Sequence, residues 1–146
     1  MPSELLRKQW RFARALPLLL AEAHSQGWEV TLGETLRSDE QAEINALGFN
    51  GREALASLIE GQFPLLAKKL RNNTGNGIRG SLHELKLAID LQLYNPNEPD
   101  PQKMWINDAG PYAHLGNYWK SLASDHRYGG DFGDTPHFSI EHNGVK

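Results

Sequence analysis

Two polar segments that lie far apart in the chain each contain a histidine and a carboxylate. The first runs from Ser81 to Asp90 and includes His83, and the second runs from Asp134 to His137. Two imidazoles and one carboxylate form a ligand set of catalytic zinc sites, in which a fourth position stays open for water. Bound zinc lowers the pKa of that water, and a second carboxylate can then act as the base. The sequence therefore predicts a fold in which the two segments meet.

Spacing alone leaves a structural alternative open. In that alternative His83 caps a turn, Asp90 is a solvated strand residue, and His137 merely follows a proline. Ligands that are separated in sequence do not by themselves distinguish the two interpretations.

Length and composition limit the classes of protein. The 146 residues are 39% hydrophobic, which is enough for one core, so we predict a single domain over residues 1–146 and a monomer. The formal net charge is −3 and charges of both signs are mixed, so nucleic acid is not an expected partner. Cysteine is absent, which excludes disulfides, thiolate zinc sites and cysteine nucleophiles.

The N-terminal segment does not have the pattern of a signal peptide. Its apolar run from Leu16 to Ala21 is followed at once by Glu22 and His24, and no small-residue cleavage site follows. No stretch approaches the roughly 20 apolar residues that span a bilayer. We expect synthesis in the cytoplasm and no stable insertion into a membrane.

Hydrophobic periodicity predicts several elements. Helical spacing indicates a helix from Ser3, its N-cap, to about His24, and alternation indicates a strand from Trp28 to Leu32. Three further helical segments are predicted: Ser38 to Leu47, Arg52 to Asn73 with an interruption near 61–64, and His114 to His126. A glycine-rich loop is predicted from Arg127 to Asp134.

Residues 87–93 alternate between leucine or isoleucine and smaller or polar side chains, which predicts a strand with one face in the core. Asp90 then points away from the leucine face. His83 precedes Asp90 by seven residues, so a continuous strand would put the two on opposite faces. We therefore predict that His83 lies on a bend before the strand.

A final strand is predicted with His137, Ser139 and Glu141 on one face and Phe138 and Ile140 on the other. Together these elements predict an α+β fold, in which helices flank a small antiparallel sheet that carries the zinc site.

The polar segments resemble the motifs of a known family. Residues 81–90 read S-L-H-E-L-K-L-A-I-D, which is similar to S-x-H-x-x-G-x-A-x-D of the zinc D-alanyl-D-alanine peptidase and L-alanyl-D-glutamate endopeptidase family. That family includes phage endolysins and vancomycin-resistance dipeptidases. The segment from Asp134 to His137 resembles its second motif, and residues 128–130 resemble the aromatic-glycine-glycine loop before it. Lys86 stands where the motif has glycine.

The resemblance implies a site and an activity. His83, Asp90 and His137 would bind Zn²⁺, and Asp134 would be the general base that removes a proton from the activated water. The implied substrate is the stem peptide of bacterial peptidoglycan. The bond that we expect to be hydrolysed is the one between L-alanine and D-glutamate. A phage endolysin of this kind would reach the cell wall after the membrane is permeabilised.

Two further residues take roles from the resemblance. Arg37 lies in a segment similar to the family's arginine-bearing segment and would steady an oxyanion or a substrate carboxylate. An ion pair of Arg37 with Glu34 or Asp39 is the structural alternative. Ser81 matches the motif's serine and would line the substrate site.

Other activities remain open. D-Ala-D-Ala carboxypeptidases and dipeptidases share the ligand set, and a non-catalytic zinc-containing wall-binding protein is a further alternative. A muramidase would use paired carboxylates, and its E-x(8)-D-x(5)-T pattern starts at no glutamate in this chain.

The remaining basic residues have structural interpretations. We expect His24 and His142 at the surface, and structural roles for His114 and His126. Residues 68–71, with two lysines and an arginine, are expected to form a solvated helix face.

Overall fold

The computed structural model describes residues 1–34, 37–73 and 81–146, and at Asp39 the backbone alone. Within these ranges five α-helices and four strands form an α+β fold, as predicted. The elements are α1 (Glu4–Ser25), β1 (Glu29–Leu32), α2 (Asp39–Ala46), α3 (Gly48–Ile59), α4 (Pro64–Arg71), β2 (Ala88–Tyr94), α5 (Ala109–Leu122), β3 (His126–Tyr128) and β4 (His137–Ile140). No helix in the described part of the chain is both long and apolar enough to cross a bilayer.

The four strands form one antiparallel sheet in the order β1-β2-β4-β3. Ile89 of β2 pairs with Phe138 of β4, and both side chains are fully buried. The ring of Trp119, on α5, contacts Phe138 edge-on, and its Nε1 donates to the carbonyl of Ser139 at 2.9 Å. Helices α1 and α5 thus cover the apolar face of the sheet and leave the other face to polar side chains.

Helix α1 forms where periodicity predicts it. The Ser3 side chain accepts a hydrogen bond from the N–H of Leu6 at 3.1 Å, and this N-cap sets the first turn. Phe12, Leu19 and Ala23 form the buried stripe of the helix. Gly27, with φ +85°, turns the chain from α1 toward β1.

Helices α2 to α4 pack around a second, smaller cluster. Ala56 of α3 and Ala67 and Leu70 of α4 are buried there, and Ile44 and Ile59 pack against them. The predicted interruption near 61–64 is confirmed, because α3 ends before it and α4 begins at a proline. Lys68 and Lys69 are exposed as predicted, but Arg71 is partly buried and forms ion pairs with Glu53 and Glu60 on and just after α3.

The predicted helix from His114 to His126 is wrong at both ends. The Asp108 side chain accepts from the N–H of Gly110 at 3.0 Å and starts α5 five residues earlier, and the helix ends at Leu122. His126 instead begins β3, where its ring stacks on Trp119 with centroids 4.0 Å apart. Its role is structural, as predicted. His142 is buried rather than at the surface, because it pairs with Val145 in a short C-terminal bridge.

Candidate metal centre

The register of β2 and β4 places Asp90 directly opposite His137. Side chains at opposed positions of an antiparallel pair share a face, with Cβ atoms about 4.5–5.5 Å apart. The Asp90 Oδ1 atom accordingly lies 3.3 Å from Nδ1 of His137. The neighbours Ile89 and Leu91 are fully buried on the other face, which confirms the predicted orientation of Asp90.

His83 lies in a turn that spans residues 82–86, just before β2, as predicted. The N–H of Leu87 donates to the carbonyl of Leu82 at 2.9 Å and closes the turn. Lys86 has a φ of +56° in this turn. Glycine adopts this conformation freely, and a side chain there costs about 1 kcal/mol. In this chain a lysine therefore holds a backbone conformation that favours glycine.

Three ligand atoms from these elements converge. Nε2 of His83 lies 3.2 Å from Nδ1 of His137 and 3.4 Å from Oδ1 of Asp90, and the third separation is 3.3 Å. Metal–ligand bonds of 2.0–2.1 Å in a tetrahedral zinc site put the ligand atoms about 3.3–3.4 Å apart. The three separations fit this geometry, so the group can hold a metal ion.

Burial and hydrogen bonding of the three side chains are consistent with a metal. Both rings are buried. Nδ1 of His83 and Nε2 of His137, which are not among the three converging atoms, have no hydrogen-bond partner among the described residues, and a metal in the cluster would not change that. The other two ring nitrogens face each other and the carboxylate, so their lone pairs are opposed unless a proton or a cation lies between them. A metal ion would satisfy all three ligand atoms at once.

The protonation state of Asp90 also suits a ligand. Burial raises the pKa of its carboxyl, but the hydrogen bonds from His137 and His83 and the charges of both rings outweigh burial. The pKa of Asp90 therefore lies far below its ordinary value. A carboxylate must be ionised to bind a metal, and a lowered pKa favours the ionised form.

Asp134 lies beside the three ligands and outside their triangle. Its Oδ2 atom is 3.9 Å from Nδ1 of His137, and 55% of its side chain is exposed. Partial burial raises the pKa of the Asp134 carboxyl, the charge of His137 lowers it, and the charge of Asp90 raises it, with a net rise. A carboxylate with a raised pKa next to a metal site is suited to accept a proton.

Gly129 allows the Asp134 turn to lie close to β4. Its carbonyl accepts from the N–H of Asp134 at 2.8 Å, and the N–H of His137 in turn donates to the Asp134 carbonyl at 3.1 Å. A Cβ atom on Gly129 would lie 2.0 Å from the Asp134 carbonyl oxygen and 2.6 Å from Cβ of His137. This close approach explains why residue 129 is a glycine and has no side chain.

We predict that Gly129→Ala displaces Asp134 and His137. The added methyl should lower the free energy of unfolding by about 1–3 kcal/mol, because backbone cannot move aside cheaply, and should weaken metal binding. Urea unfolding and zinc titration measure the two effects. Gly61→Ala is the matched control, since no atom lies within 4 Å of its Cβ position. Equal stability of the two variants would show that the close approach is not needed.

Arg37 and Glu34 form a pair that borders the cluster. Nε of Arg37 donates to Oε1 of Glu34 at 2.7 Å, and a terminal guanidinium nitrogen donates to the other carboxylate oxygen. The hydrogen bond to Glu34 raises the pKa of Arg37 further, despite the opposing effect of burial. The Glu34 carboxylate also lies 4.0 Å from Nε2 of His83. This ion pair is the structural alternative that the sequence offered for Arg37. A part for Arg37 in catalysis stays a prediction.

Sequence reasoning missed Glu34 as a neighbour of the site. The chain continues beyond β1 alongside β2, where the N–H of Gly33 donates to the Asp90 carbonyl at 2.7 Å and the N–H of Asp90 donates to the Glu34 carbonyl at 3.1 Å. Glu34 and Asp90 belong to no common motif. Only the pairing register of β1 and β2 shows that the two residues are neighbours.

Ser81 helps to begin the turn that carries His83. Its N–H donates to Oε2 of Glu84 at 2.7 Å, and the N–H of Glu84 donates to the Ser81 carbonyl at 3.1 Å. The first of these bonds is half of a capping box. The Ser81 hydroxyl is buried without a partner among the residues that the structure describes. Its role in lining a substrate site stays a prediction.

Comparisons with known proteins place the chain in no family. No family model matches it, and no curated protein or solved structure matches it.

A groove of about 250 Å³ is lined by residues that flank Asp90 and His137 in sequence. Gln92, two residues after Asp90 on the same face, lines it together with Trp105, Thr135 and Pro136. The indole Nε1 of Trp105 donates to the side chain of Gln92 at 2.9 Å, which fixes a half-exposed ring at the groove wall. Pro136 in its lining directly precedes His137, so a molecule bound in the groove would lie near the candidate metal ligands.

Proposed function

We propose that the protein is a zinc-dependent peptidase that hydrolyses the stem peptides of bacterial peptidoglycan, in the manner of a phage endolysin. One observation carries the proposal. Three ligand atoms of His83, Asp90 and His137 lie within 3.4 Å of one another, and a second carboxylate, that of Asp134, lies 3.9 Å from His137.

The donor set favours zinc in a catalytic role. Imidazole nitrogens and a carboxylate oxygen suit Zn²⁺, whereas Mg²⁺ and Ca²⁺ prefer oxygen ligands alone. Structural zinc sites usually have four protein ligands, and three ligands leave a position for water or substrate. A zinc ion held there would supply a Lewis acid and a water of lowered pKa.

Asp134 supplies the base. Its exposed carboxylate can accept a proton at Oδ2 from a water held near the cluster and then return the proton to the leaving amine. A site that served only binding or stability would gain nothing from such a carboxylate, which argues against the wall-binding alternative.

Arg37 and Glu34 support the cluster from the side of β1. The Arg37 side chain is 9% exposed, and its backbone N–H donates to the His83 carbonyl at 3.4 Å. Its charge lies close enough to Asp90 and Glu84 for their carboxylates to favour the protonated form. In this proposal Arg37 steadies negative charge on the substrate, and Glu34 orients its planar donor fork.

The groove near the candidate metal ligands favours an extended peptide over a dipeptide. Trp105 and Gln92 offer an aromatic surface and an amide along β2, away from the ligand atoms. A dipeptidase needs no such extension, so an L-Ala-D-Glu endopeptidase is the preferred assignment. A D-Ala-D-Ala carboxypeptidase remains the second candidate, since the motifs around His83 and His137 resemble both activities. In either case we expect a monomer that acts on the wall after the membrane is permeabilised.

Digestion of purified Gram-negative peptidoglycan tests the proposal. The protein should release new free amino groups in a reaction that a chelator stops, and the fragment masses should end at L-alanine. New reducing sugar ends would instead show a glycosidase and overturn the zinc assignment. Release of neither kind of group would favour the non-catalytic alternative.

A further inference from the structure

Helices α3 and α4 expose many apolar side chains. Seven of the large apolar residues that the structure describes as exposed lie between positions 47 and 66. Leu58 and Leu65 are each 84% exposed and Phe49 is 71% exposed. Single exposed apolar residues are ordinary, but a concentration of them marks an interaction surface.

Four of these residues gather at one end of the helix pair. Leu58 lies near the end of α3, Phe63 directly precedes α4, and Leu65 and Leu66 lie in the first turn of α4. Only residues 60–63 lie between the helices. We call these four residues the α3–α4 tip. Ala56, Ala67 and Leu70 form the buried contact between the helices. Leu58 and Leu65, each 84% exposed, contribute little to this contact.

Two lysines follow the tip on α4. Lys68 and Lys69 lie three and four residues after Leu65, on the same side of α4. Both are exposed, and neither forms an ion pair with a residue that the structure describes. They line an open depression of about 450 Å³ together with Leu65, Asn72 and Asn73.

Two glutamates of this helix pair share one arginine. Glu60 and Glu53 both bind the guanidinium of Arg71, at 2.8 and 3.0 Å. The three side chains together keep one negative charge, and the two exposed lysines outweigh it, so this surface is net positive. A partner that is both apolar and anionic fits such a surface.

We propose that the α3–α4 tip docks on the surface of an anionic phospholipid bilayer. Leu58, Phe63, Leu65 and Leu66 enter the boundary between head groups and acyl chains, and Lys68 and Lys69 bind lipid phosphates. Lysine stems can lie along apolar surface while their amines stay in the head-group layer. Amphipathic helices bind membranes by this combination of apolar area and cationic charge.

A second copy of the chain fits this surface less well. A symmetric dimer through the tip would bring two Lys68–Lys69 pairs into one interface, and like charges in an interface oppose association. An anionic bilayer supplies the missing negative charge. The proposal does not depend on the metal centre, so it can fail or hold separately from the peptidase proposal.

Co-sedimentation of the full chain with vesicles tests the proposal. Binding to vesicles of phosphatidylglycerol mixed with phosphatidylcholine should exceed binding to phosphatidylcholine alone at least tenfold, and salt should weaken it. Lys68→Glu with Lys69→Glu should remove the preference for phosphatidylglycerol. Leu58→Ser with Leu65→Ser should weaken binding at least tenfold, and thermal unfolding should show that this exposed pair leaves the fold intact.

Leu18→Ser with Leu32→Ser is the matched control, because both leucines are half exposed on other elements. The control should bind vesicles like the unaltered protein. Equal losses in the control and the tip variant would overturn the proposal, as would equal binding to both kinds of vesicle. Self-association that the tip substitutions abolish, without any vesicle binding, would assign the surface to a second copy.

Discussion

Addition of Zn²⁺ to the metal-free protein should raise its melting temperature, and His137→Ala should abolish this effect. A ligand at a hundred times its Kd stabilises the folded state by about 2.7 kcal/mol, which corresponds to roughly 5–10 °C for a domain of this size. His137 contributes one of three convergent ligand atoms, so its loss leaves two ligands and an incomplete site. Differential scanning calorimetry after chelation and re-addition of zinc measures the shift, and isothermal titration should give one ion per chain.

His24→Ala is the control for this experiment. His24 is exposed at the end of α1, and no other described histidine or carboxylate converges with it in a metal-binding group. Asp90→Asn provides a second test of the site that keeps the side-chain volume and removes only the ionised ligand. A protein that binds no zinc after mild preparation, or a His24→Ala variant that loses as much stabilisation as His137→Ala, would show that the ligand assignment is wrong.

The positions of Asp90 and His83 relative to β2 are predictable from sequence, because strand periodicity involves only neighbouring residues. Alternation over residues 87–93 fixes the face of Asp90, and that face in turn requires His83 to precede the strand on a bend. Both predictions are confirmed. Periodicity cannot predict the pairing of Asp90 with His137. This pairing joins strands more than 40 residues apart and depends on how Ile89 packs against Phe138.

Other features depend on short-range caps or on tertiary contacts that periodicity does not contain. Helix α5 begins at the Asp108 cap, before its apolar repeat becomes regular, and the three residues of β3 are too few to show alternation. Glu34 reaches the site only through the register of β1 and β2. Apolar spacing in α3 and α4 correctly predicts helices but cannot tell which apolar faces stay uncovered.

Asp134→Asn should keep the metal and lower turnover by about 10²–10⁴-fold. Asparagine has nearly the same volume but cannot accept the proton, and general base catalysis typically contributes a factor of this size. Zinc affinity should change little, because Asp134 lies outside the triangle of ligand atoms. The measurements are the rate of amine release from peptidoglycan fragments and a zinc titration of the same sample.

Asp131→Asn separates this effect from a general disturbance of the loop. Asp131 lies three residues before Asp134, is similarly exposed, and pairs with Lys120 at 2.7 Å. The control should therefore keep both zinc and turnover. Loss of zinc in Asp134→Asn would make Asp134 a fourth ligand, which would close the open position that a catalytic site requires. Unchanged turnover with zinc still bound would place the base on another residue, and Glu34 would be the next carboxylate to test, since its Oε2 lies 4.0 Å from Nε2 of His83.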